Sequence, residues 1–535
     1  MTDHDGTPSR LLEPLTRREA LRSALAGGLA VGAGGLLSAC GGKSTTTPSG
    51  GGGSSGPTRR GGTLRIAVAG SAKDSVDAHT PVQEADIARL YQLYEPLAIH
   101  DQDYKLQMLL AESIEASGRA DRWTVRLKPG ITFHNGRPLT ADDVIFTIRR
   151  ITDPKSPKVG AVLLADIDRS GMRKLDARTI RLELKRPNAD LPDFLGEYVN
   201  GIVPVGYDPK HPVGTGPFKF QSFAPGQRSV FTRNTNYWQK GRPLLDEVVI
   251  LDIPDDTARV NALLGGQVDA ISNLPAAQIA AVKGNPQLRV LSSPTGGWQP
   301  FTMRVDKAPF SDPRVRQAMR LIVDRKQMIQ QALDGQGRIA NDLYAPFDPC
   351  YARDLPQRNQ DLEQAKSLLR QAGRSDLRVQ LTTAPIFHGI VEAAQVFAQQ
   401  AKGAGVRVDV RKVDSGTFFG DNYLRWPFAQ DFWITRNYLP QISQGSLPAS
   451  PFNETHWNDA QFQKLVGQAR ATLDHGKRCD LLHQAAKIEY DRGGYIVWAF
   501  SDQIDAYSRK VTGFAPAKTG VPLNSFGLKT VGFAT

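Results

Sequence analysis

"LLAESIEASGRADRWTVRLKPGITFHNGRPLTADDVIFTIRRI", residues 109–151, changes its period partway along. From Trp123 to Phe133 apolar and polar residues alternate around Pro129-Gly130, which reads as strand, turn and strand. From Thr140 the period becomes helical. Val144, Ile148 and Ile151 fall on one face, and Thr140 with Asp143 has the spacing of a capping box, which satisfies the free N–H groups of a helix start.

The same alternation continues to the end of the chain. "DEVVILDIP" is a continuous apolar strand, and "DTARVNALLGGQVDA" a helix that stops at Gly265-Gly266. "SDPRVRQAMRLIVDRKQMIQQAL" predicts one helix with Ser311 as its cap, Pro313 in its first turn, and a core-facing stripe of Val315, Met319 and Ile322. "QDLEQAKSLLRQAG" closes on Gly373 before the strand "LRVQLTTAP", and "VEAAQVFAQQAKGAG" with "VRVDVRKVD" gives another helix and strand. Two amphipathic helices, "DAQFQKLVGQARATLD" and "KRCDLLHQAAKIEYDR", precede the strand "GYIVWAF". No repeat of solenoid period occurs, and the order of elements predicts an α/β architecture.

The first sixty residues are of another kind. Between Arg22 and Cys40 lie seventeen uncharged residues, five of them glycine, too short and too weakly apolar for a permanent span. A basic start (Arg17, Arg18, Arg22), a short apolar run and small residues form the layout of a secretory signal. "TRREALR" is similar to the twin-arginine export signal, with Ala20 where Phe is usual, and "LSAC" resembles the bacterial lipobox. Residues 1–39 are therefore read as a removed signal peptide, Cys40 as the lipidation site, and residues 40–60 as lipidated Cys plus flexible Gly/Ser/Thr linker. Such a tether holds the body roughly 25 Å from the lipid. Location is then extracytoplasmic, anchored by lipid to the outer face of the cytoplasmic membrane or in the periplasm.

The chain carries 66 Lys and Arg against 54 Asp and Glu, a net charge of +12. Basic and acidic residues balance in the signal peptide, so the whole excess sits on the body, where it reads as a solvated basic surface. No basic run interleaved with aromatics suggests nucleic acid. Besides Cys40 there are two cysteines, Cys350 and Cys479, a possible disulfide whose formation the sequence leaves open. His475, Cys479 and His483 recur every four residues, but His475 beside Gly476 is expected in the turn before the helix, so no metal site is assigned. Neither H-E-x-x-H nor a Walker motif is present, and the one G-x-S-x-G match, residues 52–56, falls inside the Gly/Ser tract and not between a strand and a helix. No catalytic residue and no cofactor are assigned, and the chain does not read as an enzyme.

Taken with "VGTGPFKFQSFAPGQ", "RNTNYWQKGRPLLDEVVI", "LLGGQVDAI", "PFSDPRVRQAMRLIVDRKQMI" and "EQAKSLLRQAG", the stretch 109–151 resembles the family 5 extracellular solute-binding proteins, the peptide- and nickel-type receptors of ABC importers. The resemblance covers almost all of residues 61–515. It implies two α/β lobes of the periplasmic-binding-protein type, with an added subdomain in lobe one and two chain crossings at the hinge. We place the crossings near residues 296–306 and 499–507, which makes lobe one 61–300 with 505–535 returning to it, and lobe two 301–504. It further implies a solute enclosed between the lobes, delivery to a permease and ATPase complex, and a monomeric receptor. "FHNGRPLTADDV" and "RNTNYW" are turn and packing elements in this family.

Candidate ligand-binding residues follow from the same resemblance. "AGSAKDSVDAH" supplies Gly70, Ser71 and Lys73 from the loop after the first strand, Trp298 and Phe301 stand at the first crossing, and "DFWITRNYLPQIS" supplies Trp433, Arg436, Asn437 and Tyr438. Dipeptide-type members carry an acidic residue in that last segment, and some an Arg after the strand represented here by "LTTAP". This chain reads "NYLPQI" and "IFHGIVEAA", without either. Arg436 suits an anionic or carboxylate-bearing ligand. The leading expectation is a peptide or peptide-like solute. The alternatives are a non-peptide solute, such as a metal chelate or oligosaccharide, and a ligand-dependent sensor.

Overall fold

Thr63–Val68 is apolar on successive positions because both faces of this strand are covered. It pairs in parallel with Glu247–Asp252 on one side and Ala270–Ile271 on the other. Around it forms a mixed sheet in the order Leu288–Trp298, Ala499–Ser508, Ala270–Ile271, Thr63–Val68, Glu247–Asp252, Arg228–Arg233, Phe218–Ala224. This is lobe one in a computed structural model that describes residues 58–81 and 83–535. The expected signal peptide, Cys40 and most of the linker lie outside the described residues. The linker as read from sequence runs too far, because Thr58 and Arg59 already pair with Ala534 and Phe533.

Lobe two is built on a second sheet, in the order Arg407–Lys412, Arg378–Thr383, Phe428–Gln430, Phe301–Met303, Tyr495–Ile496. The chain therefore passes from the first sheet to the second at Gln299-Pro300 and returns at Val497-Trp498. The return strand Ala499–Ser508 lies in the lobe-one sheet along its whole length, earlier than the boundary at 505 drawn from sequence. Its long antiparallel register with Leu288–Trp298, from Leu288 opposite Ser508 to Trp298 opposite Phe500, binds the two crossing segments together.

The opening stretch forms the added subdomain. Arg122–Leu127 is a strand, but Ile131–Phe133 is not its hairpin partner. Only an isolated bridge joins Thr132 to Pro138, because Phe133 bonds locally to Arg137, and the strand pairs instead with Ala111–Ser117 and Thr179–Glu183. The helix Ala141–Ile151 carries the Thr140–Asp143 capping box and buries Val144, Ile148 and Ile151, each contributing about 1.5–3 kcal/mol. The Gly-Thr-Gly of residues 214–216 rests on the C-terminal end of helix Glu84–Leu93. A Cβ on Gly214 would lie 1.9 Å from the Leu93 carbonyl oxygen, so no larger residue fits.

Residues 311–333 form two helices. Asp312, and not Ser311, caps Pro313–Leu321, and a second cap at Asp324 starts Arg325–Ala332. The fully buried Arg320, from the first of these, donates to the carbonyls of Tyr490, Gly493 and Tyr495 at 2.9, 2.7 and 2.9 Å, and so satisfies the open end of helix His475–Arg492. His475 begins that helix, capped by Asp474, instead of preceding it. Cys350 and Cys479 form a disulfide with a Cα–Cα distance of 4.7 Å.

Under the loop that follows the first strand, Arg89 meets three carboxylates. It donates to Asp74 at 2.9 Å, Asp86 at 3.2 Å and Asp252 at 2.5 Å, with all four side chains fully buried. One guanidinium cannot neutralise three charges. Burial, offset in part by Arg89 and reinforced by Asp74, raises the Asp252 carboxyl to about 7.

Two measurements check this description. A folded-state value above the usual Asp value near 3.9 means that the native state holds the extra proton, so this contribution is complete at low pH and is lost as pH rises through 7. Chemical denaturation from pH 4 to 8 is expected to show stability falling by up to about 1.4 kcal/mol per pH unit for wild type, with a flatter profile for Asp252→Asn. Cys350→Ser with Cys479→Ser opens a loop of sequence separation 129, and thermal unfolding is expected to register a loss of about 2–5 kcal/mol.

Candidate functional site

The lobes meet along a seam of complementary charge. Lobe one presents Asp166 and the segment Asn188–Tyr198, and lobe two presents Arg436, Arg470 and Arg478. Arg470 pairs with Asp166, its carbonyl accepts the Ala189 N–H at 2.8 Å, and Arg478 lies 3.7 Å from Asp190. Asn437 donates to Asp193 at 2.6 Å, and that carboxylate also binds His100 at 2.9 Å. Burial alone would lower the His100 pKa, but the bond to Asp193 and the surrounding carboxylates outweigh it and raise the value. Asp190, largely buried beside Asp193, is raised to about 7, with Arg478 opposing.

Thr435 ties the two lobes at the backbone. Its hydroxyl accepts the Gly296 N–H at 2.8 Å and donates to the Lys518 carbonyl at 2.7 Å, while its carbonyl accepts the Tyr104 hydroxyl at 3.1 Å. Beside this clasp an interlobe pocket of about 30 Å³ is walled by Tyr91, Tyr104, Glu197, Tyr198, Ile434 and Thr435, among others. A larger cavity of about 360 Å³ lies within lobe one, and the two share Tyr91, Ile99, His100 and Tyr198 as walls.

Two opposite charges flank the interlobe pocket. Glu197 is one of its walls and is half-buried. The Arg436 charge acts on Tyr104 and Tyr198, and its Cζ lies 5.8 Å from the Trp433 ring centroid. Among the described residues no carboxylate lies within 4.0 Å of the Arg436 guanidinium, and its buried Nε and the Asn437 Oδ1 lack partners. A buried, unpaired guanidinium nitrogen carries a desolvation cost that an incoming carboxylate would remove.

The residues expected from sequence separate into three groups. Arg436 and Asn437 lie at the interlobe seam. Trp298, Trp433 and Tyr438 are buried together: Trp298 stacks on Tyr344 at 4.9 Å and on Trp433 at 6.0 Å, and the Tyr438 hydroxyl binds the buried Glu489 at 2.8 Å. They form a hinge core rather than a cleft wall. Phe301 is fully buried in the lobe-two core against Phe397 at 4.6 Å, because its strand is central in that sheet, so it too provides no wall. Gly70 is buried where a Cβ would meet Asp74 and Asp252, Ser71 bonds to Asp74 and Gln83, and Lys73 is exposed. None of these three is a wall of either cavity. Sequence reading missed Tyr91, Tyr104, Glu197 and Tyr198. The available signal was weak: Tyr91, Glu197 and Tyr198 interrupt apolar stretches in "RLYQLYEPL" and "DFLGEY", and Tyr104 is the lone aromatic in the polar run "HDQDYK".

The quantity that checks the seam is the radius of gyration in solution. Arg470→Gln, which removes the ion pair across the lobes but leaves Asp166 bonded to Arg186, is expected to shift small-angle scattering of the solute-free protein toward a larger radius. An unchanged radius would remove this pair from the closing contacts.

A family model described as bacterial extracellular solute-binding proteins, family 5 middle, matches residues 105–451. Heme-binding protein A of Haemophilus influenzae is 27% identical over 459 residues, covering 78% of this chain and 82% of that protein. Di/tripeptide-binding protein 2 of Pseudomonas aeruginosa is 26% identical over 443 residues, covering 76% and 83%. Among solved structures, the PBP AgaA of A. tumefaciens R10 in complex with agropinic acid superposes with a TM-score of 0.74 at 25% identity, covering 89% of this chain and 99% of that one.

Proposed function

This chain belongs to the bacterial extracellular solute-binding proteins of family 5, and we propose that it captures a peptide or peptide-like solute bearing a carboxylate between its two lobes, at the seam that Arg436 and Glu197 face. Members of the family are extracytoplasmic receptors of ABC importers, not enzymes. The observation that carries the reading is Arg436, a lobe-two cation beside the pocket with a buried Nε and no carboxylate partner among the described residues. Glu197, on the lobe-one side, is the counterpart for an ammonium or other donor. "NYLPQI" lacks the acidic residue of dipeptide-type relatives, and Glu197 offers a second way to meet that need.

Closure follows from this arrangement. Contacts to Arg436 and Glu197 together exist only when the lobes are shut, so a solute that spans them shifts the population toward the closed state. The closed form then docks on the permease. We further propose that Cys40 carries the lipid and that the following Gly/Ser-rich segment tethers a monomeric receptor to the membrane, a reading supported by the lipobox and export-signal resemblance. Among the described residues no helix is long and apolar enough to cross a membrane.

Native mass spectrometry of the full-length protein in detergent, purified without refolding, tests the solute class. A retained peptide-like mass is expected in wild type, and truncation of a buried charge partner costs about 2–5 kcal/mol, so Arg436→Gln is expected to lose it. A metal chelate or oligosaccharide in its place, or retention unchanged in Arg436→Gln, would overturn the reading.

A further inference from the structure

The larger cavity has chemistry of its own. At about 360 Å³ it falls within the size range of small-molecule sites. Leu90, Tyr91, Tyr198 and Leu528 give it an apolar and aromatic wall. We propose that this lobe-one cavity is a second binding compartment, which accepts an apolar or aromatic body ending in a carboxylate or comparable anion. The proposal rests on the interlobe reading, since the two cavities have four walls in common.

Charge accounting assigns the anion. The carboxylates of the cavity are already satisfied: Glu95 accepts from Tyr237 at 2.5 Å, Trp238 at 2.8 Å and Thr215 at 3.0 Å. Asp101 accepts from the N–H groups of Asp103 and Lys105, both at 2.9 Å. His100 is held by Asp193. The cations are not committed in this way. Lys529 has a 3.4 Å contact to the Tyr237 hydroxyl, lies 6.0 Å from that ring's centroid and approaches Glu95 at 4.0 Å, all long distances, and Arg242 has no side-chain hydrogen bond or ion pair among the described residues. Burial lowers the Lys529 pKa, with Glu95 opposing, so an arriving anion would stabilise its charged form.

A second observation concerns the wall itself. Leu523, Asn524, Ser525 and Phe526 all hold positive φ, at 49°, 61°, 58° and 48°, and Asn524 and Ser525 line the cavity. A left-handed turn of four non-glycine residues is unfavourable in isolation and persists only where surrounding contacts impose it. Here Asp505 accepts the Leu523 N–H at 2.7 Å, Gln92 donates to the Phe526 carbonyl at 3.0 Å, and Gln102 donates to the Asn524 side chain at 2.7 Å. The turn brings Asn524 and Ser525 into the cavity wall.

Isothermal titration of the full-length protein in detergent with phenylbutanoate, against phenylbutanamide, tests the compartment. The carboxylate is expected to bind saturably and about tenfold more tightly than the amide, the size of one charge-assisted hydrogen bond. Lys529→Gln is expected to abolish that preference. Arg242→Gln, at an exposed position, is expected to weaken it without risk to folding. No preference in wild type, or a preference retained in both variants, would overturn the proposal. A preference lost in Arg436→Gln but kept in Lys529→Gln would place the probe in the interlobe pocket and overturn it as well. The interlobe reading is scored separately, by whether the retained solute survives Arg436→Gln.

Discussion

The antiparallel pairing of Leu288–Trp298 with Ala499–Ser508 governs how the two halves of this molecule relate. Each strand continues within a few residues into the lobe-two sheet, so both connections leave lobe one side by side. A backbone ladder resists stretching and shear, but the few residues beyond its end can bend. Between the two sheets the chain runs through Gln299-Pro300 and Val497-Trp498, so the proposed closure would bend there. The stacked Trp298 and Trp433 lie beside the first of these connections, and their backbones exchange hydrogen bonds of 2.9 Å in each direction. The large aromatic residues at this crossing are thus buried in packing between the two connections.

What could be read from the chain alone depended on how local the determining interaction is. The helix Ala141–Ile151 was legible because its cap and its apolar stripe lie within a dozen residues. The α/β order was also legible, from period and family resemblance. The partner of Arg122–Leu127 was not, since hairpin and sheet pairing present the same alternation and a distant strand decides between them. Ser311 against Asp312 as helix cap is a contest between adjacent residues of similar propensity, settled by which side chain reaches the Arg314 N–H.

The candidate site was legible only on its lobe-two side. Arg436 and Asn437 stand in a segment whose family resemblance marks it. Tyr104 comes from one stretch and the adjacent Glu197 and Tyr198 from another, and they share a pocket only when folded. Glu95 shows the reverse case. It gathers donors from Thr215, Tyr237 and Trp238, and so explains why "GTG" and "NYW" are recognisable motifs without touching the interlobe pocket. Thr215, Tyr237 and Trp238 are placed to match a buried carboxylate. That follows from the high cost of an unmatched buried carboxylate.

The disulfide joins Cys350 to Cys479, and both ends lie in lobe two, one in the loop after Gly337–Ile339 and the other on the first turns of helix His475–Arg492. It stiffens one lobe and does not cross to the other. The bond thus joins two segments of lobe two and leaves the two lobes without a covalent link beyond the chain itself among the described residues. If the lobes close on a solute as proposed, the bond leaves that movement free of a covalent tie, and maturation of the chain need not wait for loading.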